Sequence, residues 1–139
     1  ENADSLEITF RFLAPSVTSF EYKVTYIAYF DGRLGVKTEY PGVNGLSDMP
    51  VFAMDFKMKK KYDKFTFYGM GPYENYIDRD NGAMLGVYTS TAQGNFTKYL
   101  NPQECGNRTG VRYVNVYEEN GTGLNFKANK QPFEMSVLP

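Results

Sequence analysis

Two short stretches hold most of the side chains in this sequence that could do chemistry. Residues 69–79 read Gly-Met-Gly-Pro-Tyr-Glu-Asn-Tyr-Ile-Asp-Arg, and residues 102–109 read Pro-Gln-Glu-Cys-Gly-Asn-Arg-Thr. Glu74 and Glu104 could form a glycosidase pair, in which two carboxyl groups about 5 to 9 Å apart flank the scissile bond. Asn107, Arg108 and Arg112 offer planar donors to sugar hydroxyls, and Tyr113 has a face that can stack on a pyranose. A plainer reading competes with each of these. Glu74 and Glu104 accept hydrogen bonds from loop backbone or pair with Arg79, Arg108 or Arg112. Asp78 and Arg79 form a local ion pair, because charges partly buried in loops need partners. Asn107, Arg108, Arg112 and Tyr113 then anchor a loop and a contact surface, as do the amphipathic Tyr73 and Tyr76. Gly69 and Gly71, followed by Pro72 and by no helix start, suggest a tight turn rather than a phosphate cradle. Cys105 reads as a buried or interface thiol.

What the chain lacks narrows its chemistry further. Its 139 residues include no histidine, no tryptophan and a single cysteine. Without histidine there is no Ser-His-Asp or Cys-His nucleophile, no HExxH zinc site and no imidazole acid or base. One cysteine excludes an internal disulfide and any CxxC metal knuckle. Fifteen basic residues against sixteen acidic ones leave a net charge of -1, so no pull towards nucleic acid is expected. No apolar run approaches the ~20 residues that span a bilayer, and no membrane partner is expected. The first residues carry neither the basic nor the apolar region of a secretory signal, which leads us to expect a cytoplasmic location.

The elements that must position these residues read as strands. Residues 6–12 alternate, with Leu6, Ile8, Phe10 and Phe12 on one face, which predicts one buried and one wet side. Residues 20–30 place Tyr22, Val24, Tyr26, Ala28 and Phe30 on a common face. Asp31-Gly32 follows, and residues 34–40 alternate again, which predicts a β-hairpin. Further strands are expected at 51–58, 64–68, 84–89, 111–117, 124–127 and 133–138, with Asn120-Gly121 as a turn before 124–127. The lysines at 57, 59, 60, 61 and 64 read as a solvated turn or a protected strand edge. No window carries an apolar stripe long enough for a substantial helix. The expected fold is all-β, an antiparallel β-sandwich. Residues 68–79 and 99–113 interrupt the strand pattern and are expected to be long ordered loops, since their aromatic content argues against disorder.

Residues 69–79 resemble the G-x-G-P-x-E-N-Y-x-D-R signature of the small-chain domain (domain 5) of β-galactosidases in glycoside hydrolase family 2. Residues 102–109 are similar to that family's P-Q-E-x-G-N-R-T, with Val111-Arg112-Tyr113 matching its V-R-aromatic continuation. Lesser agreements lie at Leu46-Ser47-Asp48-Met49-Pro50, Gly123-Leu124-Asn125-Phe126 and Pro132-Phe133-Glu134-Met135-Ser136. The likeness runs from about residue 6 to residue 139. It implies part of a galactose mutarotase-like supersandwich, residues 1–139 being a small-chain domain that lacks its C-terminal portion. The family's G-G-D-D-S-W-like segment has no match here, Tyr113 stands where relatives often have Trp, and Gly110 stands where they often have Asp.

The resemblance also implies a division of labour. The parent enzyme would hydrolyse terminal β-D-galactosides such as lactose with retention, using two glutamates on a separate (β/α)8 barrel. That barrel would hold the magnesium, so no cofactor is expected in this chain. The chain itself would be a non-catalytic partner of the barrel, helping to complete the active-site rim and subunit contacts, in a possible homo-oligomer. On that reading Asn107, Arg108, Arg112 and Tyr113 are rim candidates for a galactoside sugar. Gly69, Gly71, Pro72, Glu74, Asn75, Tyr76, Asp78, Arg79 and Glu104 hold the loops. The alternative is an autonomous carbohydrate-binding β-sandwich module, suggested by eleven phenylalanines and twelve tyrosines beside polar loops. A mutarotase-like epimerisation enzyme is disfavoured, since that chemistry relies on histidine.

Overall fold

The computed structural model describes residues 4–14, 19–47 and 49–139. Asp48, within the run 46–50, lies outside them. Among the described residues all of the regular structure is strand, and every pairing is antiparallel. The chain divides into two compact units, Glu1–Met54 and Asp55–Pro139.

The first unit is a three-stranded sheet of β1 (Ser5–Ala14), β2 (Phe20–Tyr29) and β3 (Leu34–Glu39), in that order. The hairpin expected around Asp31-Gly32 forms there. Gly32 takes a φ of 88°, and Asp31 receives the backbone N–H of Arg33 at 3.1 Å and its Nε at 2.7 Å. The register sets Leu6 opposite Ala28, Ile8 opposite Tyr26, Phe10 opposite Val24 and Phe12 opposite Tyr22. The alternating residues therefore do share one face, with Phe12 stacked on Tyr22 at 5.0 Å. Within this unit that face is left uncovered, where the alternation predicts a buried side: Leu6, Ile8, Phe10 and Phe12 are all exposed. A single layer of three strands has no second layer of its own to cover it, and alternation fixes only which side each residue takes.

The second unit carries the core. A four-stranded sheet runs β5 (Met84–Thr91), β4 (Lys64–Gly71), β7 (Tyr113–Tyr117), β8 (Gly123–Lys127). A two-stranded pair, β6 (Asn107–Val111) and β9 (Phe133–Ser136), packs across it, as in a β-sandwich. On β4 burial alternates strictly: Phe65, Phe67, Gly69 and Gly71 face inward, while Thr66, Tyr68 and Met70 face outward. Phe65 and Phe67 are wholly buried, against Val114 and Val116 of β7, Val111 of β6 and Met135 of β9. The two layers come closest at Gly69, where a Cβ would sit 3.0 Å from Val111 Cα. At Gly71 a Cβ would meet the Tyr88 ring at 2.7 Å. These glycines therefore admit a neighbouring strand and a ring. They lie within a strand, and the tight turn expected of them is not formed.

Three other expectations are corrected. Residues 51–58 form no strand. Their alternation is real, but no described strand pairs with them, and Val51, Phe52, Met54 and Phe56 stay exposed. The two loops are shorter than expected, because β4 runs on to Gly71 and β6 occupies residues 107–111. A ladder to Met84 at one end and to Ser136 at the other captures backbone that looked irregular for its Gly and Asn content. Lys64 lies on β4, which has neighbours on both sides, so it is not at a sheet edge and instead pairs with Glu119.

Removing the Phe67 ring leaves a cavity where β4, β6 and β7 meet. Phe67→Ala should cost about 3–5 kcal/mol in urea unfolding. Val87→Ala, on the exposed side of β5, should stay within about 0.5 kcal/mol.

Candidate functional site

The loop after β4 and the loop leading into β6 converge on one carboxylate. Glu74 follows the Gly71–Pro72 bond, and its loop is closed by reciprocal backbone hydrogen bonds between Tyr76 and Arg79 at 3.2 and 2.9 Å. Its Oε1 accepts from Arg79 Nη2 at 2.8 Å and from the Tyr99 hydroxyl. Its Oε2 accepts from the Thr97 hydroxyl at 3.1 Å and from the Gly106 backbone N–H. Arg79 also donates to Tyr99 Oη at 2.9 Å and lies 5.0 Å over the Tyr76 ring. Gly106 has a φ of 76°, and a Cβ there would strike Asn95 Nδ2 at 2.6 Å. Only glycine can present that N–H from that place.

A second knot joins the same segments beneath the first. Asn75, almost fully buried, donates from Nδ2 to the carbonyls of Met70 and Tyr73 at 3.0 and 2.9 Å. Its Oδ1 accepts from the Thr109 N–H and hydroxyl at 2.9 and 2.7 Å. The Asn75 N–H reaches Asn107 O, and Asn107 Nδ2 returns to Asn75 O, each at 3.0 Å. Asn107 also donates to Glu134 at 2.8 Å. Asn95 Nδ2 joins Gly106 O and Val137 O at 2.8 and 3.0 Å.

The electrostatics follow from burial and donors. Burial pushes the Glu74 carboxyl up, but the bonds from Tyr99, Gly106 and Thr97 and the charge of Arg79 outweigh it and hold Glu74 below the usual carboxylate range. Burial, then the charge of Glu74, pushes the Tyr76 hydroxyl up to about 12. Burial also lowers Arg108, against the opposing influence of Glu74 and Tyr76. Beside this cluster opens a cleft of about 330 Å³ lined by Tyr73, Glu74, Arg79, Asn95, Tyr99 and Arg108, among others.

The four rim candidates do not converge. Arg108 lies on the core side of the sheet, 5.7 Å over Phe67, and lines the cleft. Arg112 lies 5.3 Å over Tyr68 and donates to Gly110 O, and the Tyr113 ring is 6.0 Å from that of Tyr68. Tyr68 is on the opposite face of β4 from Phe67, so these two are separated from Arg108 by the sheet. Asn107 is buried and occupied by Asn75 and Glu134. Of the loop residues, Glu74, Asn75, Tyr76 and Arg79 come together, whereas Asp78 and Glu104 are exposed. The ion pair expected between Asp78 and Arg79 is replaced by Arg79 with Glu74, because the Tyr76–Arg79 bridge turns Arg79 back towards the loop's start. Cys105 is buried, as expected. The parts played by Asn95, Thr97 and Tyr99 escaped the sequence reading. Their only local signal is the turn-forming run Gln93-Gly94-Asn95 after β5.

Fold and site together define an all-β, antiparallel domain whose polar loops are locked by their own side chains. Comparison with known proteins makes the class specific. A protein-family model described as the beta galactosidase small chain matches residues 1–139. The chain belongs to that family. It is 37% identical to a β-galactosidase of Streptococcus thermophilus over 97% of its own length and 13% of that protein's. It is 38% identical to a β-galactosidase of Halalkalibacterium halodurans over 86% of this chain and 12% of the relative. With the β-galactosidase small subunit of Latilactobacillus sakei it shares 32% identity over its whole length and 46% of that protein's. The chain thus spans about an eighth of the large relatives (13% and 12%) and somewhat under half of the small subunit.

Since the folded pKa of Glu74 lies below the ordinary 4.5, its contribution to stability is full above about pH 4.5 and is lost as the pH falls through the folded value. Glu74→Gln should cost about 1–3 kcal/mol at pH 7, as expected for hydrogen bonds to a charged group. In urea unfolding the gap between the two proteins should close progressively as the pH is taken below 4.5.

Proposed function

We propose that this chain is a non-catalytic portion of a β-galactosidase, serving to shape and brace the part that carries the chemistry. The enzyme as a whole would hydrolyse terminal β-D-galactosides such as lactose with retention, through two glutamates and a magnesium site on a (β/α)8 barrel. The observation that carries this reading is the condition of Glu74. A glycosidase acid needs a raised pKa and a nucleophile needs an open oxygen. Glu74 is held ionised, and each of its oxygens already accepts two hydrogen bonds. Glu104 is exposed and has no hydrogen bond or ion pair to any described residue. The family motifs spend their side chains on one another, which suits a brace.

The mutarotase-like supersandwich and contacts between copies belong to this proposal. The supersandwich is supported by the two-layer packing of β6 and β9 over β4 and by the relatives' much greater length.

The kinetics of the intact enzyme test it. Glu74→Gln and Glu104→Gln should each retain kcat for a chromogenic β-galactoside within about tenfold. A loss of about 10²–10⁴-fold from either, the range of a missing acid or base, would overturn the proposal.

A further inference from the structure

Of the three charged groups lining the cleft, two satisfy each other and one does not. Arg79 and Glu74 form an ion pair. Arg108 forms none with any described residue, although only 5% of it is exposed. Its Nη1 donates to the carbonyls of Asn107 and Gly106 at 2.9 and 3.3 Å, and its Nε is buried without a partner. Asn95, 3% exposed, also lines the cleft and leaves its Oδ1 unpartnered. Two guanidinium groups against one carboxylate leave the cleft one positive charge in excess, and that charge is the desolvated one. A buried guanidinium calls for a planar anion, and a carboxylate matches its donors.

The surroundings indicate where such a carboxylate comes from. Tyr73 lines the cleft at 83% exposure. Ile77 stands at the tip of the Tyr76–Arg79 loop at 86%, and Leu100, next to the cleft residue Tyr99, is wholly exposed. Large apolar side chains held open beside a buried arginine are the makeup of a protein interface centre, with an apolar zone around a desolvated charge. A small acid would leave those three side chains in water. About seven-eighths of the single-chain relatives' length lies outside the region this chain matches.

We propose that the cleft is a docking socket for the catalytic part of the same β-galactosidase, which inserts an aspartate or glutamate against Arg108 while neighbouring apolar side chains cover Tyr73, Ile77 and Leu100. This rests on the accessory role proposed above, and it adds the surface and the chemistry of the contact.

The test uses the intact enzyme. A photo-crosslinking residue in place of Leu100 should capture one peptide from the catalytic part, and that peptide should contain an acid. Hydroxyl-radical labelling of Tyr73 and Leu100 should be at least tenfold slower than that of Leu124, which is exposed on β8. Arg108→Gln and removal of the captured acid should each speed thermal inactivation, and the double variant should be no faster than the worse single one. Capture of a second copy of this chain, capture of the remaining part of the small chain, capture of a peptide without an acid, or additive effects of the two substitutions each overturn the inference. If Arg108→Gln does not fold, the crosslink and the labelling decide it with Arg108 intact. Labelling of Tyr73 and Leu100 as fast as Leu124, in an enzyme of full turnover, overturns the docking and leaves the accessory role standing. That role is judged separately by the kinetics of the Glu74 and Glu104 variants.

Discussion

A carboxylate withdrawn from water must be given donors, and at Glu74 those donors come from three segments that are distant in sequence. Arg79 belongs to its own loop, Thr97 and Tyr99 to the segment after β5, and Gly106 to the approach to β6. Meeting the demand of one ionised group therefore fixes three loops relative to one another. The Asn75 knot does the same for the uncharged backbone beneath, since a loop packed over a sheet has carbonyls and N–H groups that water cannot reach. β4 is the platform for both. Its inward Phe65 and Phe67 anchor the core, its Gly69 lets β6 come close, and the end of the strand delivers Glu74.

This dependence explains which parts of the molecule could be read from the sequence. Strand period and turn chemistry are local, so the hairpin at Asp31-Gly32 and the strands around 20–30, 64–68, 84–89 and 124–127 are visible as patterns. The need of Glu74 for loop backbone or an arginine is equally local, because a carboxylate in a loop of arginines and glycines has few other options, though which of Arg79, Arg108 and Arg112 it takes is not. Residues 51–58 mark the limit of that logic. Alternation says which side a residue would face in a strand, but whether a strand forms depends on a neighbour's open edge. The apolar row of β1 marks a second limit, because burial needs a covering layer that no period encodes.

The misreadings at the site share one cause. Asp78 sits beside Arg79 in sequence and by that measure is its natural partner, yet the Tyr76–Arg79 bridge reverses the chain and hands Arg79 to Glu74. Arg108 and Arg112, four residues apart, looked like neighbours on one surface. β6 ends between them, and they finish on opposite faces of the sheet, one over Phe67 and the other over Tyr68. Closeness in sequence is a poor guide wherever the chain changes strand. Asn95 shows the converse. It lacks a motif of its own, yet its side chain fills the space that a Cβ at Gly106 would need and bonds the carbonyl of the same glycine.

Such interlocking makes substitutions at these positions strongly non-additive. Gly106 can donate to Glu74 only at positive φ, that φ is compatible with glycine alone, and the absent side chain is what admits Asn95. Changing any of the three removes the reason for the other two, so the cost of the first change includes most of the cost of the second. The same coupling gives the loops their rigidity. A loop held by such a network of hydrogen bonds gives up little further entropy when another surface meets it. The motif residues thereby hold the exposed groups beside them, Tyr73 and Ile77 among these, in one fixed arrangement.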